Sequence, residues 1–387
     1  MPRKVCVVIT ARASYARIKS VLEVIRNHSD LDLQLVVGAS LLLERYGSAV
    51  NIIENDGFKP IAHIYMVLEG ENPITMAKTT GIGIIELSTI LNELKPDVVL
   101  TVADRYETII TAISASYMNI PVAHVQGGEI TGSIDEKVRH AVTKLSNFHF
   151  VANENCAKRV IQMGEEPERV FVTGCPSIDL ARKIMENPEL DFDPFEKYKG
   201  VGSIFDLSKG YLIVMQHPVT TEYDYAFEQI NETLLAIYEV KMPTLWFWPN
   251  VDAGSDKISK GIRMFRERYN PNFIHFFKNM APEDFLKMLY NSKCIVGNSS
   301  AGIREASFFG VPSVNIGSRQ DGRERGKNVL DVGYSKEEIK NAIRQQLNHG
   351  RYPSEYIYGD GYAGERIADI LSTIELRNDK KFYQIKW

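Results

Sequence analysis

Cysteine is scarce in this 387-residue chain: Cys6, Cys156, Cys175 and Cys294 are all there are. No two lie at CxxC or metal-ligand spacing, which argues against a structural zinc site or a disulfide framework. Few, scattered thiols suit a reducing compartment, so a cytoplasmic location is expected. An excess of positive charge is also missing. The formal net charge of −4 gives no field that would gather a nucleic-acid backbone. No uncharged apolar run is long enough to span a membrane. The opening MPRKVCVVITARA mimics a signal peptide only superficially, because its apolar run is short, is interrupted at Arg12, and reads better as a first buried strand. The segment GNSSAGIREA (297–306) has neither a Walker A pattern nor GxGxxG, which favours a mononucleotide held without a P-loop over ATP or NAD. No repeat or low-complexity tract is present. What remains is an ordinary soluble composition with 44% hydrophobic and 24% charged residues, at a length that favours two domains.

Short β-branched runs alternate with amphipathic segments. VCVVIT (5–10), LQLVVG (33–38), DVVLTV (97–102), PVAHV (121–125), FHFV (148–151) and RVFVTG (169–174) form one series. YLIVMQ (211–216), PTLWFW (243–248), NFIHFF (272–277), KCIVGN (293–298) and VPSVNIG (311–317) form a second, with helices expected at 221–240, 255–269, 282–291 and 301–309. Near-continuous apolar strands separated by helices imply parallel sheets covered on both faces. The reading is an α/β chain of two Rossmann-like, doubly wound parallel-sheet domains facing one cleft. Residues 1–186 make the first domain, 187–210 a linker rich in Pro, Gly and charge, and 211–361 the second. A final helix, within 362–387, is a candidate to return to the first domain. In such folds ligand groups sit beyond the strand C-termini.

Several segments at those ends carry chemistry. GNSSAGIREA (297–306) follows a strand with small residues that let a backbone approach an anion, and Ser299 and Ser300 add hydroxyls. Glu305 is placed to accept the hydroxyls of a ribose. Serine N-capping with an acid near the helix dipole is the bland alternative. Arg12, after the first strand, is either a bidentate partner for a diphosphate or a solvated loop arginine. Asp104 and Arg105 end DVVLTV, where Asp104 with Glu107 also reads as a helix cap. In HVQGGEITGSIDEKVRH (124–140), Ser133 and Glu136 form an S-x-x-E box, and Asp135–Arg139 and Glu136–His140 have i, i+4 spacing. Glu129 serves no helix, and an acid held on a glycine-rich loop is a candidate general base. His217, before Pro218, projects from a strand end, as a site residue or as a hydrogen-bonded structural histidine. Asn250 and Asp252 end another strand and could read a base or sugar. Arg319, Arg323 and Arg325 follow the last strand expected from the pattern, where a solvated charge run is the usual explanation.

Taken together, HVQGGEITGSIDE, MQHPVTTE, PNVDAGS, GNSSAGIREA and GSRQDGRERG resemble the hydrolysing UDP-N-acetylglucosamine 2-epimerases. That family includes the epimerase half of the animal bifunctional epimerase/kinase and the bacterial enzymes feeding sialic and legionaminic acid synthesis. The resemblance runs from TARASY to YGDGYAGERI and implies the two-Rossmann GT-B arrangement. It implies that Ser299, Ser300, Ala301 and Gly302 bind a diphosphate and Glu305 the ribose. Arg12, Arg105, His217 and Arg319 would line the diphosphate and sugar, with Asn250 and Asp252 beside the nucleotide. Asp104 and Asp135 match acids implicated in family catalysis. The QHPVTTE run matches the hydrolysing branch, whereas non-hydrolysing relatives carry an HRREN-like run there.

Two positions depart from the pattern. Gln126 stands where animal and non-hydrolysing enzymes have a catalytic glutamate, so Glu129 or Asp104 is expected to take the base's work. In the ASLLLERYG segment, Leu41 is read in the place of a family histidine, which leaves the sugar substituents open. The implied reaction is anti elimination of UDP across C1–C2, then hydration of the glycal with inversion at C2. It would yield N-acetylmannosamine and UDP, with Asp135 and His217 serving the water and the leaving group. The same reaction on a UDP-2,4-diacetamido-trideoxyhexose, a GT-B glycosyltransferase, and a nucleotide-sugar sensor are the alternatives. No metal or cofactor is expected, and no nucleic-acid or membrane partner. A homodimer or dimer of dimers follows from the resemblance.

Overall fold

The structure, a computed structural model, describes residues 1–44, 48–70, 72–102, 105–249 and 252–385. Two seven-stranded sheets carry the chain. In the first, β1 (Arg3–Ile9), β2 (Leu31–Gly38), β3 (Ala62–Ile64), β4 (Val98–Val102), β5 (Val122–Val125), β6 (Phe148–Val151) and β7 (Val170–Val172) pair in parallel, in the order β3-β2-β1-β4-β5-β6-β7. The second holds β8 (Val201–Gly202), β9 (Leu212–Met215), β10 (Thr244–Phe247), β11 (Ile274–Phe277), β12 (Cys294–Gly297), β13 (Ser313–Ile316) and β14 (Val329–Val332), in the order β14-β13-β12-β9-β10-β11-β8. Each order reverses once, between β1 and β4 and again between β9 and β12. Those two reversals are the crevices where doubly wound sheets hold ligands.

The central strands are buried on both faces, which is why they read as unbroken apolar runs: β1, β4, β9 and β12 hold almost no exposed residue. β3 and β14 escape notice because edge strands have less apolar surface to bury. Part of the expected linker is structured. Its two-residue β8 pairs antiparallel with β11, and Asp193 caps the short helix Pro194–Tyr198. The final helix, Ala363–Thr373, returns to the first domain, where Ile367, Ala368 and Leu371 join the core built on β1 and the helix Arg12–Asn27.

One described helix, Pro73–Leu94, is by length and composition long and apolar enough to cross a membrane. Thr79, Gly83, Leu87 and Leu91, at four-residue steps, bury one of its faces in the first domain. Its opposite face leaves Ile74 and Ile85 exposed, and Tyr65 and Tyr117 are exposed as well.

Candidate active site

Both topological reversals open onto one cleft, with a cavity of about 120 Å³. From the β1 side come Arg12, Ala13, Ala16 and Arg17, on the first turns of the helix Arg12–Asn27. From the β9 and β12 ends come His217, Ser299, Ser300, Ala301 and Glu305, with Arg319 from the turn after β13. Leu180, Met215, Phe247, Met280, Phe285 and Leu286 make an apolar end. A mostly apolar wall with a few converging polar groups is the usual character of a small-molecule site.

Backbone geometry explains how the second domain presents its part. Gly297 has φ +129°, and a Cβ there would run into the Met215 carbonyl oxygen, so only glycine lets β12 and β9 end this close together. Asn298 then ties the two strand ends. Its Oδ1 accepts from the His217 amide at 2.7 Å, and its Nδ2 donates to the His217 carbonyl at 2.8 Å. The Asn298 carbonyl in turn accepts from Arg319 Nη1 (3.2 Å) and Gln320 Nε2 (2.8 Å). The expected helix 301–309 is split into a 3-10 turn, Ser300–Gly302, and a helix from Glu305 to Phe309. Ser299 caps that turn by accepting from the Ala301 amide at 3.3 Å, so the capping role is realised on the cleft wall itself.

Positive charge converges here. Arg12 Nη1 reaches across the cleft to the Lys278 carbonyl (3.0 Å) and Asn279 Oδ1 (2.9 Å). Arg17 Nη2 donates to Ser300 Oγ at 3.1 Å. Burial and neighbouring Arg105 pull the Arg12 guanidinium down to about 10. Burial pushes the His217 ring well below the ordinary histidine value, and Arg319, Arg12, Arg105 and Arg17 push the same way. A neutral histidine among four guanidinium groups is an environment in want of an anion.

Other expected residues lie behind this wall. Asp135 sits in the first turn of the helix Ile134–Leu145, and its Oδ2 lies 3.5 Å from Arg319 Nη2. Gln126, at the end of β5, is buried in a left-handed conformation (φ +69°) and donates from Nε2 to Cys175 Sγ. A non-glycine residue in that region is strained, and such strain is usually retained near function. Arg105 lies between Asp252 (3.1 Å) and Glu107 (2.9 Å). Burial lowers its pKa, but those two carboxylates outweigh burial and raise it well above the ordinary value. Gly302 is buried at the end of the 3-10 turn, with its α-carbon facing Ser313. Asp104 and Asn250 lie outside the described residues.

Three sequence-based expectations are corrected. Glu129 is not in the cleft: its Oε2 lies 2.5 Å from Arg304 Nη2 and 3.3 Å from Arg323 Nη2, in a buried ion cluster. Burial favours its neutral form, yet Arg304, Arg323 and Arg139 outweigh that and hold its pKa below the ordinary carboxylate value. A carboxylate so stabilised is a poor proton acceptor. Asp252 pairs with Arg105 at 3.1 Å, which brings two of the expected residues together and gives the buried guanidinium a counter-charge. Asp135 does not pair with Arg139. That arginine is buried and donates to the Glu129 carbonyl (2.8 Å) and Glu136 Oε2 (2.9 Å). The S-x-x-E box is not reciprocal either, because Ser133 accepts from the Asp135 amide while Glu136 accepts from the Thr131 amide. The Glu136–His140 pair does form, at 2.8 Å. Leu41 lies in the core of the first domain, so it takes no part in the cleft.

Sequence reasoning gave no role to Arg17 or Asn298. Arg17's signal was available: with Ala13 and Ala16 it marks a small-residue face opening the first helix, five residues beyond Arg12.

The family profile of UDP-N-acetylglucosamine 2-epimerases matches residues 23–372. The chain belongs to that family. It is 35% identical over 378 residues to the hydrolysing UDP-N,N'-diacetylbacillosamine 2-epimerase of Legionella pneumophila, covering 98% of each chain. It is 31% identical over 392 residues to the UDP-N-acetylglucosamine 2-epimerase of Neisseria meningitidis, covering 98% of this chain and 97% of that one. A Campylobacter jejuni GDP/UDP-N,N'-diacetylbacillosamine 2-epimerase (hydrolysing) is 32% identical, covering 85% of this chain and 84% of that one. Among solved structures, the Methanocaldococcus jannaschii UDP-GlcNAc 2-epimerase in complex with UDP-GlcNAc and UDP superposes with TM-score 0.78 at 18% identity, covering 95% and 99% of the two chains. The Neisseria meningitidis enzyme bound to UDP-GlcNAc gives 0.76 at 20% identity, covering 95% and 99%. The family member's GT-B fold therefore agrees with the two doubly wound sheets.

Proposed function

We propose that this protein is a hydrolysing 2-epimerase of a UDP-activated 2-acetamido sugar, with UDP-N-acetylglucosamine as the first substrate to test. The observation that carries this reading is the convergence of Arg12, Arg17 and Arg319 with His217 and the Ser299–Gly302 turn on one cleft. A diphosphate placed there would meet fixed positive charge as its bond to C1 breaks. Glu305 lies on the same wall for the ribose.

The reaction begins when a carboxylate takes the C2 proton while the C1–O bond to UDP breaks, leaving a glycal. Water then adds its oxygen to C1, and C2 gains a proton from the opposite face, so the products are the C2-inverted free sugar and UDP. With Glu129 held as an anion by two arginines, Asp104 is the carboxylate assigned to the first step. Asp135, beside Arg319, serves the addition of water, and His217, neutral in the free protein, donates a hydrogen bond to the leaving diphosphate. Four buried, free thiols fit a cytoplasmic setting. The association of copies that the resemblance implies would cover the apolar outer face of the helix Pro73–Leu94.

A second reading keeps the reaction and changes the sugar to a UDP-2,4-diacetamido-trideoxyhexose. It is favoured by relatives at 35% and 32% identity that are named for diacetylbacillosamine. Incubation with each nucleotide sugar in D2O, followed by NMR, separates the two. The preferred sugar should be converted to a C2-inverted product carrying deuterium at C2, with one UDP per turnover. A product without deuterium would sink the elimination route, and UDP release only with an added sugar acceptor would indicate a transferase.

A further inference from the structure

The loop 126–132 of the first domain and the loop 317–325 of the second, which carries Arg319 of the cleft wall, are locked together beside the cleft. Gly132 donates its amide to the Arg319 carbonyl at 3.2 Å, and a Cβ on Gly132 would collide with the Ser318 carbonyl oxygen. Arg323 Nε faces the Ile130 carbonyl at 3.5 Å, and Arg159 joins the Gly128 carbonyl (3.0 Å) to Glu324 (3.2 Å). At the centre lies Glu129, 2% exposed, its carboxylate shared between Arg304 and Arg323 of the other domain. Arg304 immediately precedes Glu305 and follows the Ser299–Gly302 turn. Asp135 lies six residues beyond Glu129 and meets Arg319.

We propose that Glu129 and Arg323 are positioning residues: together with Arg304 they form an interdomain latch that sets the loop bearing Gln126 and Asp135 in register with the diphosphate turn. The chemistry of the seam supports it. The buried carboxylate and the two guanidinium groups have their counter-charges only when both domains are in place, and removing one partner leaves a buried charge uncompensated. Polar contacts at the edge of the seam add direction, and the Gly132 approach admits no larger residue.

The turnover arm of the test rests on the proposed epimerase activity; the exchange arm does not. In the free protein, Glu129→Gln and Arg323→Met should each speed amide hydrogen exchange across 126–132 and 317–325 at least about tenfold, the mark of local opening. Each should lower kcat, by up to about 100-fold for a misplacement near 1 Å, with KM changed far less. The double variant should be no worse than the poorer single one, and Arg323→Lys, which keeps the charge, should recover part of the loss. Unchanged exchange in both loops overturns the latch, whatever the substrate proves to be. So does an Arg323→Met enzyme of full activity beside an inactive Glu129→Gln, which would place Glu129 at the substrate. A variant too unstable to assay leaves the decision to Arg323→Lys: faster exchange in both loops with a lowered kcat supports the latch, and wild-type exchange with wild-type kcat overturns it.

Discussion

At the residue scale, the cleft is governed by charge. His217 is kept neutral by burial and by surrounding arginines, so the free protein resists its protonation. A bound diphosphate reverses the local field and favours the imidazolium. The sign follows: below the ordinary histidine value of about 6.5, binding of UDP should take up protons, and the uptake should fade as pH rises above it. Calorimetry in buffers of different ionisation enthalpy reads this directly, and His217→Gln should abolish it. Arg319 contacts both Asn298 and Asp135. Arg319→Met removes a charged hydrogen-bond donor worth about 1.5–3 kcal/mol. UDP affinity, measured by the same method, should fall roughly 10- to 100-fold on that basis.

At the element scale, the ends of β9 and β12 form one unit, joined by Asn298 and closed by Gly297. Gly297→Ala meets both a disfavoured φ and the Met215 carbonyl. It should cost about 1–3 kcal/mol of stability, visible as a lower melting midpoint, and should weaken UDP binding because His217 moves with the strand end. The helix Ile134–Leu145 is a second such unit. Its N-terminus carries Asp135 toward the cleft, and its C-terminal carbonyls, Thr143 and those of the following Ser146, accept from Lys380 of the chain's tail.

At the scale of the whole molecule, that tail fastens the far side of the first domain. Glu165 is buried between Lys144 (2.6 Å), Lys380 (2.5 Å) and His149 (3.0 Å). Burial alone would raise its pKa, but His149, Lys144 and Lys380 outweigh this and bring it to about 2. Its folded pKa is depressed, so its stabilisation is complete above the unfolded value of about 4.3 and is lost as pH falls toward about 2. His149 is lowered as well, mainly by burial, which adds a loss beginning below about 6.5. Acid unfolding followed by circular dichroism should begin at higher pH in Lys380→Met, because Glu165 then loses one of its cations.

The amino-acid sequence by itself determined the α/β class, the central strands, and the helices 255–269 and 282–291. Each of these follows from which face of a local segment must be apolar. It also determined which segments reach the strand C-termini, and so brought Arg12, His217, Ser299 and Arg319 into view before any packing was known. Burial and pairing are decided by partners distant along the chain, and only the tertiary structure could settle them. Glu129 looks free on its loop until Arg304 and Arg323 arrive 175 and 194 residues later. Asp252 gives no sign along the chain that its partner is Arg105, 147 residues earlier. The same holds for Arg139, which has helical spacing to Asp135 but turns inward because the loop above it leaves carbonyls to satisfy. Local pattern records the solvent preference of a side chain, whereas the work of a buried charge depends on the counter-charge that folding brings to it.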